Sequence, residues 1–313
     1  MRELRVTLET VTPLFLGGAD QQPELRPPSI RGQLRYWLRA ALGGVIGDQN
    51  LDGVKKAESE VFGSTNGTGA IRIRTGWLVE PETVSLNPLP HKPSPTRFDG
   101  FIANQKFDLT VTQRQGTLAT WLAAVGAMLL MIAFGGLGRR SRRGWGTLQI
   151  VHAQVQQADL PSNWVSLLKF NPRSAADWQA YLLNTHKAAM AASRSLSKEL
   201  GIECQRISQP AEYPVLDTAN PGRVCKTTYS DAVDAIREFG EREHRFGVTK
   251  AFGSATDPRW ASPLWVRVFP VSQPKRGYVL ALTLIESKSN VADYAKLHRF
   301  ISEWDVLQPE AKA

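Results

Sequence analysis

Cysteine is nearly absent from this chain: Cys204 and Cys225 are the only two in 313 residues. Two thiols cannot build a disulfide framework, a Cys-only zinc site or an iron–sulfur cluster. The five histidines (His91, His152, His186, His244 and His298) fall in neither an HxxxH nor an HExxH spacing, so no metal site is expected. No Gly-x-Ser-x-Gly elbow presents a nucleophile, and nothing points to a cofactor. Glu58 with Glu60, and Asp231 with Asp234, come closest to a carboxylate pair, but on helices they read as surface or capping residues. Long apolar runs are equally scarce. The one candidate, Leu118–Phe134, is 17 uncharged residues, short of the roughly 20 that a membrane span needs. It is expected to be a buried helix, and a membrane role rests on it alone. The N-terminal MRELRVTLETV carries charge inside its first apolar stretch, unlike a secretory leader.

Positive charge and arginine are what the chain has in excess. Basic residues outnumber acidic ones 38 to 29, giving +9, and 25 of the 38 are arginine. Arginine forks onto phosphate and stacks on rings, so this balance favours contacts to a polyanion. With 42% hydrophobic residues the chain can still bury a sizeable core.

Periodicity orders the first half as strand, helix, strand, strand, helix, strand. Residues 3–11 alternate. Ser29 stands where an N-cap belongs, opening a helix over about 30–42 that stops before Gly43 and Gly44. A short helix near 54–61, strands at 70–79 and 105–113, the apolar helix 117–134 and a strand near 146–154 complete the set. That order is the ferredoxin-like (RRM-like, split βαβ) arrangement. The second half repeats it less clearly, with a long helix over 174–199, a short extended piece at 213–216, a helix over 231–245, strands at 264–270 and 277–285, and a helix over 291–306. Phe62-Gly63-Ser64 is echoed by Phe252-Gly253-Ser254, each ahead of an Arg-bearing strand. The expected fold is therefore α+β with two ferredoxin-like units, over 1–155 and 156–313, the second diverged and carrying an extra long helix.

Four constellations carry the chemistry. Residues 135–146 place Arg139, Arg140, Arg142 and Arg143 among glycines that include Gly136 and Gly138, followed by Trp145. Such a turn can cradle phosphate with backbone N–H groups and guanidinium forks, and an exposed tryptophan can stack on a base. It is neither a Walker A loop nor a dinucleotide fingerprint, because the flanking elements are in the wrong order. Arg31, Arg35 and Arg39, at i, i+4, i+8, form one helical stripe that Arg26 and the helix start at Ser29 extend. The Pro-rich segment 83–103, with His91, Lys92, Arg97 and Phe98, is long enough to project as a thumb. Trp265, Arg267 and Phe269 alternate on one strand and are expected to be buried against a neighbouring domain.

The stretches TPLFLGG at 12–18, ELR at 24–26 and SIRGQLRYWLRA at 29–40, with the Phe62-Gly63-Ser64 turn and the Gly/Arg loop, resemble the RAMP superfamily. Within it they resemble the family of first subunits of the Cmr module in type III-B CRISPR effector complexes. The resemblance implies two ferredoxin-like domains and a cytoplasmic, non-catalytic RNA-binding subunit. It implies guide RNA and target RNA as ligands and other RAMP subunits as partners, with contacts to the 3′ region of the guide. The alternative is a RAMP-type endoribonuclease that processes guide precursor. Such enzymes carry a histidine on or near the first helix and a glycine-rich loop near the C-terminus. Residues 29–44 contain no histidine and the loop lies mid-chain, which counts against that reading.

Overall fold

The computed structural model describes residues 1–20, 22–65, 67–205, 207–208, 211–216, 222–247, 250–254, 259–288 and 293–307. Its architecture is mixed α+β with antiparallel sheets. Strands β1 (Glu3–Thr10), β2 (Ile71–Trp77), β5 (Lys106–Gln113) and β6 (Leu148–Gln154) form one sheet in the order β2-β5-β1-β6. The alternation seen in the sequence sets its inner face: Leu4, Val6, Leu8, Ile71, Ile73, Phe107, Leu109 and Val111 are all buried. The outer face is dressed with ion pairs, Arg5 to Asp108, Arg74 to Glu3 and Lys106 to Glu9.

Helix α3 (Leu118–Phe134) is the apolar run. Thr117 caps it through a reciprocal capping box with Thr120. It is buried along nearly its whole length because it has a neighbour on every side: the sheet, α1 (Pro27–Ile46) and α5 (Ala175–Glu199). Among the described residues no helix is long and apolar enough to cross a membrane.

Helix α1 departs from expectation at both ends. It begins at Pro27, with Arg26 at the N-cap and no side-chain cap, so Ser29 lies inside the first turn rather than capping it. Proline fits there because the first N–H groups of a helix lack intrahelical partners anyway. The helix also runs through Gly43 and Gly44 to Ile46. A Cβ on Gly44 would overlap the carbonyl of Leu216, whose own N–H is bonded to Ala40 O at 2.9 Å. The glycines admit a crossing chain instead of ending the helix. That chain is the 213–216 piece, which forms no strand. Helix α2 (Leu51–Phe62) follows, capped by Asn50.

The 83–103 segment is not a projecting thumb. Strands β3 (Thr83–Leu86) and β4 (Phe98–Phe101) pair as a hairpin. Its far end folds back, so that the Trp145 indole donates to Pro88 O at 3.2 Å and Arg237 donates to Pro90 O at 3.3 Å.

The second half contributes α4 (Ser162–Leu168), then α5, β7 (Arg223–Val224), α6 (Ala232–Gly247), a 3₁₀ turn at Lys250–Phe252, β8 (Leu264–Val271), β9 (Gly277–Leu284) and α7 (Tyr294–Ser302). Residues 291–292 of the expected last helix lie outside the described residues. The sheet order is β7-β9-β8, and Val306 bridges back to Cys225 beside β7. Asp231 caps α6 by accepting from Val233 N and Asp234 N.

The halves meet where β8 packs on α1 and α3. Trp265 lies 5.1 Å from Trp37, and Phe269 stacks on Trp178 at 4.1 Å. The face is buried, Trp265 against α1 of the first half and Phe269 against α5. Between these rings lies Arg267, fully buried. Its guanidinium donates to Ile132 O at 2.7 Å, Thr147 Oγ1 at 3.1 Å and Leu148 O at 3.4 Å. Burial pushes its pKa down to about 9. Replacing Arg267 with Met takes its donors away from the Ile132 and Leu148 carbonyls. Each orphaned buried carbonyl costs about 1–3 kcal/mol, so the urea midpoint is expected to fall sharply. An unchanged midpoint would show that Arg267 is not a structural tie.

Candidate nucleic-acid interface

The loop from Gly135 to Thr147 joins α3 to β6 and is stitched in from both sides. Arg139 N donates to Phe15 O at 2.8 Å and Gly146 N to Pro13 O at 3.0 Å. Thr12 and Thr147 hydroxyls both donate to Gly144 O, at 2.8 and 2.9 Å. On the opposite side Val266 N donates to Arg142 O at 3.2 Å, and Arg143 bridges Val266 in parallel. The loop is therefore a fixed platform, not the pliant turn that its glycines imply. Arg140 is held at φ 58°, a left-handed conformation uncommon outside glycine.

The platform sorts its four arginines. Arg142 donates to Ser262 O and lies over Trp265, 4.6 Å from the ring centre, and over Tyr36 at 5.7 Å. Arg143 is held by Glu243 at 3.0 Å, Ser262 Oγ at 3.0 Å and Phe252 O. Arg139 is exposed above the Phe98 ring at 5.4 Å. Arg140 forms no ion pair among the described residues, and its buried Nε has no partner. Burial, with Arg143 nearby, lowers its pKa to about 10. Arg139 and Arg140 are thus the loop's available cations, while Arg142 and Arg143 are structural.

Trp145 does not fit a base-stacking role. It is 1% exposed, packed 4.9 Å from Phe15 beneath the hairpin. Gly136 and Gly138 form the root of the loop and present no side chain. On α1, Arg35 and Arg39 do not stand free: both pair with Glu58, at 2.8 and 3.1 Å, and Arg35 also donates to Phe62 O and Gly63 O. Glu58 is buried, not the surface residue its sequence context implied. Two guanidiniums on one carboxylate leave a net positive charge there. Arg26 forms a loose pair with Glu24 at 3.4 Å. Arg31 has no ion-pair partner among the described residues.

The two predicted clusters touch at Tyr36, where Arg142 from the loop and Arg39 from α1 both act on a phenol that burial holds above its usual pKa. They nevertheless open into separate clefts. One, of about 470 Å³, is lined by His91, Lys92, Arg140, Arg142, Arg143, His244 and the Phe252-Gly253-Ser254 turn. The other, of about 450 Å³, is lined by Arg31, Arg35, Arg72, Arg114 and the turn that follows Phe62. Of the hairpin residues, His91 and Lys92 line the first cleft, Phe98 supports Arg139, and Arg97 is exposed with no ion pair among the described residues. Sequence reading missed His244, Arg72 and Arg114. Arg72 had a signal, as the outward residue of an alternating strand. Arg114 had none, because only the fold brings it beside α1.

His91 lies flat on α6 at Gly240, where a Cβ would overlap its ring. Desolvation first, then Lys92, Arg140, His244 and Arg143, pull its pKa from 6.5 to about 4. The folded state therefore binds fewer protons than the unfolded chain between about pH 4 and 6.5, and stability falls on acidification through that window.

Comparison with known proteins gives a likeness at the level of a class first. Residues 7–149, which hold β2, β5, α1, the hairpin and the Gly/Arg loop, match the RAMP superfamily. The particular likeness is to one subunit. The chain is 29% identical over 182 residues (48% of this chain, 96% of the relative) to CRISPR system Cmr subunit Cmr1-2 of Pyrococcus furiosus. It is 23% identical over 339 aligned positions (98% of this chain, 93% of the relative) to Cmr subunit Cmr1-1 of the same organism. The crystal structure of apo Cmr1 from Pyrococcus furiosus superposes with a TM-score of 0.64 at 19% identity, covering 97% of each chain. A chain of the Type III-B Cmr-beta complex bound to cognate target RNA gives 0.65 at 13% identity, covering 96% of this chain and 98% of that one. The sequence resemblance to first Cmr subunits is thereby established, and the structural likenesses establish the shared fold.

Two expectations follow from this geometry. Trp145→Ala should cost about 3–5 kcal/mol of folding stability, as for other buried large aromatics. The salt slope of nucleic-acid binding should stay unchanged, measured by urea unfolding beside a salt titration. His91→Gln should reduce the drop in urea midpoint between pH 7 and pH 5; an equal drop in both proteins would place the titrating group elsewhere.

Proposed function

We propose that this chain is a non-catalytic RNA-binding subunit of a type III-B CRISPR effector complex, contacting the 3′ region of guide RNA and/or capturing complementary target RNA for antiviral defence in the cytoplasm. The observation that carries the proposal is the pair of guanidiniums without an ion pair among the described residues, Arg139 exposed on a rigid loop and Arg140 beside it lining a basic cleft. A polyanion releases its counterions when it meets such fixed cations. The relatives named as Cmr subunits, and the complex described as bound to target RNA, agree with that chemistry. Other RAMP subunits are the protein partners on this reading.

The topology supports two diverged ferredoxin-like units, divided near residue 155. The order β2-β5-β1-β6 is the split βαβ order. The order β7-β9-β8, with the Val306 bridge beside β7, repeats it with the last strand reduced to one residue. On this division α5 belongs by sequence to the second unit and packs on the first.

The endoribonuclease alternative draws on one feature, the presence of His91 and His244 in the same cleft. A histidine with a pKa near 4 is neutral at pH 7 and a poor general acid there. Single-stranded RNA binding, measured against salt for wild type and for Arg139→Ala/Arg140→Ala, tests both readings. The double variant should lose about 0.7 slope unit per lost phosphate contact, with the RNA intact throughout. An unchanged slope removes the loop from the interface, and specific metal-independent cleavage of repeat RNA replaces the subunit reading with the enzyme.

A further inference from the structure

The two Phe-Gly-Ser turns are built alike beyond their three letters. Each follows the end of a helical segment, α2 in one case and the 3₁₀ turn in the other, and each glycine has positive φ, 82° at Gly63 and 105° at Gly253. Each serine opens a small antiparallel bridge, Ser64 to Gly67 and Ser254 to Trp260. Each phenylalanine carbonyl accepts from an arginine, Arg35 on Phe62 O and Arg143 on Phe252 O. Each of those arginines is in turn held by a helical glutamate, Glu58 of α2 and Glu243 of α6. The Arg–Glu–carbonyl unit is therefore present twice, and in each copy the arginine and the phenylalanine line a basic cleft.

In the cleft at the Gly63 turn, three more arginines converge from separate elements: Arg31 from the first turns of α1, Arg72 from β2 and Arg114 just beyond β5. Arg72 and Arg114 are exposed, Arg31 is half-buried, and none of the three has an ion-pair partner among the described residues. Like charges gathered around a concave surface repel each other in the empty state and gain most when an anion enters. The neutralised unit fixes the shape, and the free rim supplies the charge.

We infer that the cleft of Arg31, Arg72 and Arg114 at the Gly63 turn is a second backbone-phosphate subsite, which holds the same single strand whose other phosphates lie against Arg139 and Arg140. This rests on the RNA-binding reading above. Its ligand is the phosphodiester of a single strand rather than a free phosphate, because the rim cations come from three elements and line an open cleft of about 450 Å³, far larger than one phosphate group. The halves thus use one architectural unit twice, at successive points on one ligand.

Arginine footprinting of the full chain with phenylglyoxal, mapped by mass spectrometry, tests this with three samples: protein alone, with inorganic phosphate, and with a single-stranded oligoribonucleotide. The expected result is protection of Arg31, Arg72 and Arg114 by the oligonucleotide, together with Arg139 and Arg140, and little protection by phosphate at matched phosphorus concentration. Protection of Arg139 and Arg140 alone overturns the second subsite and leaves the RNA-binding reading standing. Equal protection by phosphate overturns the assignment to a strand. Protection at neither site overturns both. In parallel, Arg31→Gln/Arg72→Gln/Arg114→Gln should flatten the salt dependence by about 0.7 unit per arginine, additively with Arg139→Ala/Arg140→Ala. The three arginines form no ion pair among the described residues, so the triple variant is expected to fold with an unchanged thermal midpoint. A slope equal to wild type overturns the subsite.

Discussion

One buried cation holds the molecule in register. Arg267 reaches from β8 into the base of the Gly/Arg loop and donates to Ile132 O near the end of α3 and to Leu148 O at the start of β6. No carboxylate among the described residues pairs with it. Its charge is spread over backbone oxygens and a hydroxyl, and a guanidinium tolerates this because it is delocalised and weakly hydrated. The cost of desolvation appears in its lowered pKa. In exchange β8 cannot slide along α3 and β6 without leaving those carbonyls dry. The loop between the two points it grips is therefore rigid, and the side chains it presents to solvent are presented in fixed places.

Rigidity explains which arginines became available. Arg142 and Arg143 point back from the platform into the junction, where Ser262, Glu243 and the Phe252 carbonyl await them. Arg139 and Arg140 are left outside. Sequence reading grouped all four because a run of like residues carries no information about which way each will turn. The same limit misplaced Trp145. Its position after a glycine-rich turn pointed to an exposed ring, but the pocket under the hairpin that claims it is formed by Phe15 and Pro88, over 50 residues away. Glu58 had looked like a surface residue for a similar reason: its two arginine partners lie 19 and 23 positions upstream.

Where local physics decides, the sequence was legible. Alternation marked β1, β2, β5 and β8, and the uncharged run marked α3. Thr117, Ser174 and Asp293 cap their helices, although sequence reading placed an N-cap only at Ser29. Where a crossing chain decides, it was not. Gly43 and Gly44 read as a helix end, and only the passage of residues 213–216 over α1 makes them interior. The proline-rich segment read as a projection, and the fold brings Trp145 and α6 beneath it. The echo of Phe-Gly-Ser was visible from the start, but its meaning emerged from the arginine and glutamate that complete each copy.

The placement of Arg142 has an optical corollary. Its guanidinium lies over the Trp265 indole, which in turn touches Trp37. A cation against an indole face perturbs the excited-state dipole, and two indoles this close exchange excitation. The junction therefore carries its own fluorophore, wired to the backbone of the loop at Arg142. A change in the seat of Arg142 would therefore be reported by the emission of Trp265, with no label attached.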